Sequence, residues 1–87
     1  MSWQLGLSPE AAKWLRKADP QVARRIRGSL RAIASLEDPR TKGKGLTGPL
    51  AGLWRYRVGD YRIICDIRED ELVIVALEIG KRSRIYG

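Results

Sequence analysis

The chain has no histidine and a single cysteine, Cys65. Without histidine there is no imidazole acid–base pair, and the two scarcities together leave no ordinary zinc ligand set. A lone cysteine cannot form a disulfide within the chain, which suits a cytoplasmic location. No apolar run is long enough to cross a bilayer, and no signal-peptide pattern opens the sequence, so no membrane partner is expected. Acidic residues are the minority, ten against seventeen Lys and Arg, for a net charge of +7. The acids that do cluster, Glu69, Asp70 and Glu71, fall where a hairpin tip is expected. A two-metal nuclease needs carboxylates that converge beside its substrate, and the residues that converge here are cations. No glycine-rich phosphate loop leads from a strand into a helix, and there is no internal repeat or low-complexity segment. What remains is one domain spanning residues 1–87, with no metal or cofactor implied. Its charge favours a polyanionic partner, either nucleic acid or an acidic protein segment.

From the start, Trp3, Leu5 and Leu7 alternate with small or polar residues, predicting a short first strand. Ser8-Pro9-Glu10 then supplies a capping hydroxyl, a proline at the first helical position and an early acid. The helix to about Ala18 is expected to bury Ala11, Trp14 or Leu15, and Ala18. Asp19-Pro20 repeats the start signal and opens a second helix to about Leu36, where Val22, Ile26, Leu30 and Ile33 form one apolar stripe. Arg24, Arg27 and Arg31 fall on its outer face, either as solvated surface or as a contact with RNA. Residues 40–48 read as a mobile, positive loop bearing Lys42 and Lys44, suited to tracking a nucleic-acid backbone.

The most informative stretch is the last forty residues. Trp54-Arg55-Tyr56-Arg57-Val58 alternates aromatic or apolar residues with arginine, the pattern of a strand with one buried face. Gly59-Asp60 can form a two-residue hairpin loop into a second strand, Tyr61 to Ile67, and Leu72 to Ile79 reads as a third and central strand. With that loop, Val58 faces Tyr61 and Arg57 faces Arg62, so two arginines stand side by side with Arg55 further along. Like charges placed this way repel, and a phosphate between them would relieve the repulsion. Trp54, Tyr56, Ile63, Cys65 and Ile74 are expected to face the helices. Ile64, Val75 and Leu77 are expected on the arginine face as an apolar patch, open to a partner unless residues 40–53 fold over it. The basic tail, Lys81, Arg82, Arg84 and then Tyr86, is expected to emerge at the Arg62 end of the hairpin.

The ordered set L-x-G, G-x-W-R-x-R, a short turn, Y-R-I, a β-branched strand ending G-K-R, and a tyrosine beyond it resembles the RelE family of toxins, within the RelE/ParE group of toxin–antitoxin modules. The resemblance implies an α+β fold: an N-terminal strand and two antiparallel helices packed on one face of an antiparallel β-sheet. It further implies a ribosome-dependent, metal-free mRNA endonuclease that inhibits translation by cutting in the A site, with a RelB-type antitoxin as partner. In that scheme the substrate 2′-hydroxyl attacks its own phosphate, and the protein aligns the groups, neutralises charge and moves two protons. Arg62 would clamp the scissile phosphate and Arg82 the leaving 5′-oxygen. Arg55 and Arg57 match the strand motif, and Tyr86 would orient a base or assist proton transfer. Arg57 stands where some relatives carry a lysine proposed as general base, and its pKa is too high for that work. The base would then be Lys81 or Tyr86. Thr47 also replaces a residue that is often basic, and no helix is expected after Tyr86. Two other readings fit the same chain: a gyrase-inhibiting toxin of ParE type, and an inactive basic RNA-binding module.

Overall fold

The computed structural model describes residues 3–81. Strand β1 (Gln4–Leu7) leads into helices α1 (Pro9–Lys17) and α2 (Pro20–Ala34), and strands β2 (Lys44–Gly45), β3 (Trp54–Val58), β4 (Tyr61–Arg68) and β5 (Val73–Lys81) follow. Both helix starts form as their sequences predict. Ser8 Oγ accepts from the Ala11 amide at 3.0 Å, and Asp19 Oδ1 accepts from the Gln21 amide at 2.8 Å. Each cap satisfies an amide that has no partner inside its helix.

The strands form one sheet in the order β1-β5-β4-β3-β2. β2, β3, β4 and β5 are antiparallel to their neighbours, and β1 adds to the far side of β5 in parallel, Gln4 opposite Val73, so the sheet is mixed. The core lies between helices and sheet, with Leu15, Ile26 and Leu30 from above meeting Tyr56, Ile63, Cys65, Ile74 and Ala76 from below. Fully burying one of these aliphatic side chains contributes about 1.5–3 kcal/mol. Tyr56, Ile63, Cys65 and Ile74 therefore face the helices as expected, and half-buried Trp54 packs against the edge of the same cluster.

Two features interrupt the regular ladder. Ile64 lies opposite Glu78 but Cys65 lies opposite Ala76, leaving Leu77 as an extra residue in β5. Ser8 accounts for it: its hydroxyl donates to the Leu77 carbonyl at 2.6 Å while its amide donates to the Ala76 carbonyl at 2.8 Å. The bulge thus anchors the start of α1 to the sheet. At the β4–β5 turn Leu72 takes a φ of 54°, and the clustered acids there meet cations, Glu69 with Arg40 and Glu71 with Arg68.

Candidate nucleic-acid interface

The hairpin of β3 and β4 has the expected register. Gly59 takes a φ of 59°, the positive value a tight hairpin loop needs at its first position, and Val58 lies opposite Tyr61. Arg57 then lies directly opposite Arg62, and Arg55 opposite Ile64. In a two-residue hairpin the pair next to the loop is hydrogen-bonded. The Arg57–Arg62 pair is consequently of the other type, in which the side chains stand closer together. Tyr56, Ile63 and Cys65 fill the core on one side, so alternation puts Arg55, Arg57 and Arg62 on the other. Like charges carried side by side repel, and more strongly beside a low-dielectric surface than in bulk water. Arg57 is exposed and Arg55 half-buried, whereas Arg62 is only 9% exposed. Gly80 lies opposite Arg62 and brings no side chain to that face.

The tail divides differently from the expectation. Lys81 lies opposite Tyr61, which belongs to the helix face, so the register puts Lys81 on the side of the sheet away from Arg62. There it lines a recess with Trp14 and Tyr61, whose rings meet edge-on at 5.5 Å. Arg82 and Tyr86 lie outside the described residues. A residue not singled out from the sequence is Glu78, an exposed carboxylate opposite Ile64 and therefore on the arginine face. Its position depends on the bulge, which strand periodicity does not reveal.

The expected open apolar patch on that face is smaller than the sequence suggested. Ile64 is 2% exposed, and Leu77 is the bulged residue; Val75 and Leu77 are half-buried. Nor do residues 40–48 form a loose arm. Asp38 caps the Arg40 amide, the buried Tyr56 hydroxyl donates to the Pro39 carbonyl at 2.8 Å, and the Trp54 indole donates to the Lys42 carbonyl at 2.7 Å. The Arg40 guanidinium pairs with Glu69 and lies 5.9 Å from the centre of the Trp54 ring. Gly43, with a φ of 77°, lets the backbone approach so closely that a Cβ there would fall 2.4 Å from the Arg55 carbonyl oxygen. The segment is therefore a strap stitched to β3. It presents Lys42 and Lys44, both exposed, along the edge of that strand, with Lys44 opposite Arg55.

Lys42, Lys44, Arg55 and Arg57 all line one groove of about 570 Å³ between the strap, β3 and the C-terminal half of α2. A second groove, of about 500 Å³ between α1 and α2, gathers Arg16, Arg24, Arg27 and Arg31. Two buried titratable groups, Cys65 and Tyr56, belong to the hydrophobic core. Burial, with Asp66 adding, pushes the Cys65 thiol up to about 12, and burial holds the Tyr56 phenol protonated far above its usual range. Among the described residues no three histidine, cysteine or acidic side chains are grouped to hold a metal, and no helix is long and apolar enough to cross a membrane.

Known structures share this arrangement. The RelBE2 toxin–antitoxin complex from Mycobacterium tuberculosis contains a chain that superposes with a TM-score of 0.85 at 23% identity, covering 95% of this chain and 94% of that one. The archaeal RelE–RelB complex from Pyrococcus horikoshii OT3 matches at a TM-score of 0.74 and 26% identity, over 97% of this chain and 99% of that one. A YoeB/ParE toxin from Agrobacterium tumefaciens matches at 0.67 and 18%, over 91% and 98%. No curated protein sequence gives a significant match. The model of the ParE toxin of type II toxin–antitoxin systems, parDE, matches residues 5–86. With nearly its whole length matched by that model, and its helices and sheet superposing on those of RelE-type toxins, the chain belongs to the ParE toxin family, within the RelE/ParE group of type II toxin–antitoxin toxins.

Proposed function

We propose that this toxin is a ribosome-dependent mRNA endonuclease that cuts in the A site without a metal ion. The observation that carries the reading is the Arg57–Arg62 pair, flanked by Arg55 on the face away from the helices. Folding gains nothing from adjacent like charges, whereas a phosphodiester between them gains planar donors that match two oxygens at once. Arg62 clamps the scissile phosphate, with Arg57 and Arg55 neutralising charge as the phosphorus becomes five-coordinate. Arg82 attends the leaving 5′-oxygen and Tyr86 stacks on or orients a base. The 2′-hydroxyl must lose a proton; of the two acceptors the sequence offers, Lys81 faces the other side of the sheet, which leaves Tyr86. The register adds Glu78, a carboxylate on the arginine face and hence a further candidate to accept that proton. Lys42 and Lys44 guide the strand along β3. The toxin acts in the cytoplasm, held in check by a RelB-type antitoxin, as the toxin–antitoxin complexes of similar fold suggest.

The test is to add purified protein to translating ribosomes and map mRNA 5′ ends. Cuts within A-site codons, leaving a cyclic phosphate and a free 5′-hydroxyl, are the expected result; intact mRNA overturns the reading. A second reading, inhibition of DNA gyrase without chemistry, is favoured by the match to the ParE toxin description. A parallel supercoiling assay addresses it, since trapped gyrase–DNA breaks alongside intact mRNA would select it.

A further inference from the structure

The hairpin that sets Arg57 opposite Arg62 turns on two exposed residues, Gly59 and Asp60. Buried Val58 and half-buried Tyr61 anchor the strand ends beside them, but a further contact on the loop comes from the helix layer. A Cβ built on Gly59 would lie 2.9 Å from one terminal nitrogen of Arg25, 3.1 Å from the other and 3.1 Å from the carbon between them. Distances so nearly equal mean that the Arg25 guanidinium turns its flat face, not its N–H edge, to the place a side chain would fill. Gly59 is thus glycine for two reasons, its φ of 59° and the space this plane occupies. From its own side of the loop, Arg57 Nε donates to the Gly59 carbonyl at 3.5 Å. The bond is long, yet it is the only one the Arg57 side chain makes among the described residues. Arg57 is exposed, and repulsion from Arg62 favours a swing of its head group into solvent. The Gly59 carbonyl opposes that swing only while the loop keeps its place.

We infer that Arg25 is a positioning residue: its guanidinium plane braces the Gly59–Asp60 loop from the helix side and so keeps Arg57 beside Arg62. The inference rests on the cleavage reading above and adds to that site a residue of α2, outside the arginine face. Arginine suits the task because its flat, weakly hydrated head packs face-on while its N–H donors stay in the plane, open to water. Lysine would keep the charge and lose the plane. Among the described residues Arg25 makes no ion pair, not even with Asp60 of the same loop, so no carboxylate draws it away from Gly59. A direct contact between Arg25 and a phosphate is the rival role. The two separate in a double-mutant cycle, since a residue that acts through Arg57 has nothing left to do once Arg57 is gone.

The test uses the full chain, nitrogen-15 labelled, with Arg25→Ala, Arg25→Lys, Gly59→Asn and Arg57→Ala. Asparagine tolerates a positive φ better than most side chains, so Gly59→Asn keeps the turn while its Cβ displaces the Arg25 plane. In spectra of the free protein, the Arg57 Nε–Hε group should be ordered in the parent. Its heteronuclear NOE should fall in Arg25→Ala, Arg25→Lys and Gly59→Asn alike. Arg25 is exposed, so its replacement should leave the thermal midpoint near the parent's. In A-site cleavage, Arg25→Ala and Arg25→Lys should each lower kcat roughly tenfold with KM unchanged, the mark of a misplaced group rather than a lost ground-state contact. Arg25→Ala should cost nothing more on an Arg57→Ala background. An Arg57 Nε–Hε group that is mobile in the parent, or equally ordered in Arg25→Ala, overturns the inference. So does a parental kcat in Arg25→Lys. A loss that multiplies with that of Arg57→Ala also overturns it and makes Arg25 a phosphate contact in its own right. The spectra are read without RNA, so intact mRNA in the parent's assay would fail the cleavage reading while the brace on Arg57 is still decided.

Discussion

Arg62 and Arg24 carry the same charge in opposite circumstances, one almost enclosed beneath the sheet and the other exposed on a helix. Losing one preorganised donor from a reacting centre typically costs on the order of 10²–10³ in rate, and losing one distributed surface charge costs far less. Arg62→Ala should therefore abolish A-site cleavage and growth inhibition while Arg24→Ala leaves both near the parent level; equal losses would mean bulk charge is all that matters. Circular dichroism of Arg62→Ala separates loss of function from loss of fold, since the side chain is buried. Cys65 makes a different residue-scale prediction. Its thiol is raised to about 12 by burial, while the unfolded chain gives up that proton near 8.5. The stabilisation is complete below the unfolded value and is lost as pH rises toward the folded one, at about 1.4 kcal/mol per pH unit. Denaturant midpoints measured from about pH 8 to 11 should fall, the Tyr56 phenol adding to the slope above about 10. Cys65→Ala should start less stable and fall less steeply.

At the scale of elements, the strap from Asp38 to Gly45 decides whether Lys42 and Lys44 act as a fixed pair or as stray charges. Tyr56→Phe removes the hydrogen bond to the Pro39 carbonyl, a loss of about 1 kcal/mol, and should speed amide exchange across residues 39–45. Gly43→Ala should cost more, because it adds strain at a positive φ to a collision with the Arg55 carbonyl, and should detach β2. Replacing Lys42 and Lys44 together by alanine should flatten the salt dependence of RNA binding by roughly 0.7 for each phosphate no longer neutralised. An unchanged slope would assign that charge to solvated surface. The hairpin and both helices were legible because their signals are local: alternation from Trp54 to Val58, Gly59 at the loop, and proline after a capping Ser8 or Asp19. The strap was not, because it depends on a phenol and an indole reaching back 17 and 12 residues to carbonyls. The side of the sheet taken by Lys81 was missed for a related reason. Proximity along the chain placed it with Arg82, whereas pairing with Tyr61 put it on the other face.

Across the whole molecule, the arrangement of cations was visible only in part. A net charge of +7 announces a polyanionic partner. That the cations separate into an arginine face, a β3 groove and a helix groove emerges only from the packing. The mixed sheet was hidden for the same reason, since nothing local in Gln4–Leu7 says that its neighbour is the last strand described. Strand β5 sits between β1 and β4, and the Ser8 hydroxyl reaches the Leu77 carbonyl across 69 residues of sequence. A fragment ending at Arg68 should consequently show helical signal but no cooperative unfolding, because its core lacks Ile74, Ala76 and Ile79. The same order of strands has a consequence for synthesis. Translation at roughly 5–20 residues per second delivers β1 first and the strand that pairs with it several seconds later. Until β5 emerges, the hairpin that aligns Arg57 with Arg62 has no central strand behind it. The nascent toxin thus stays unassembled beside the ribosome that makes it, and the delay leaves an interval in which an antitoxin already present can meet each new chain as it closes.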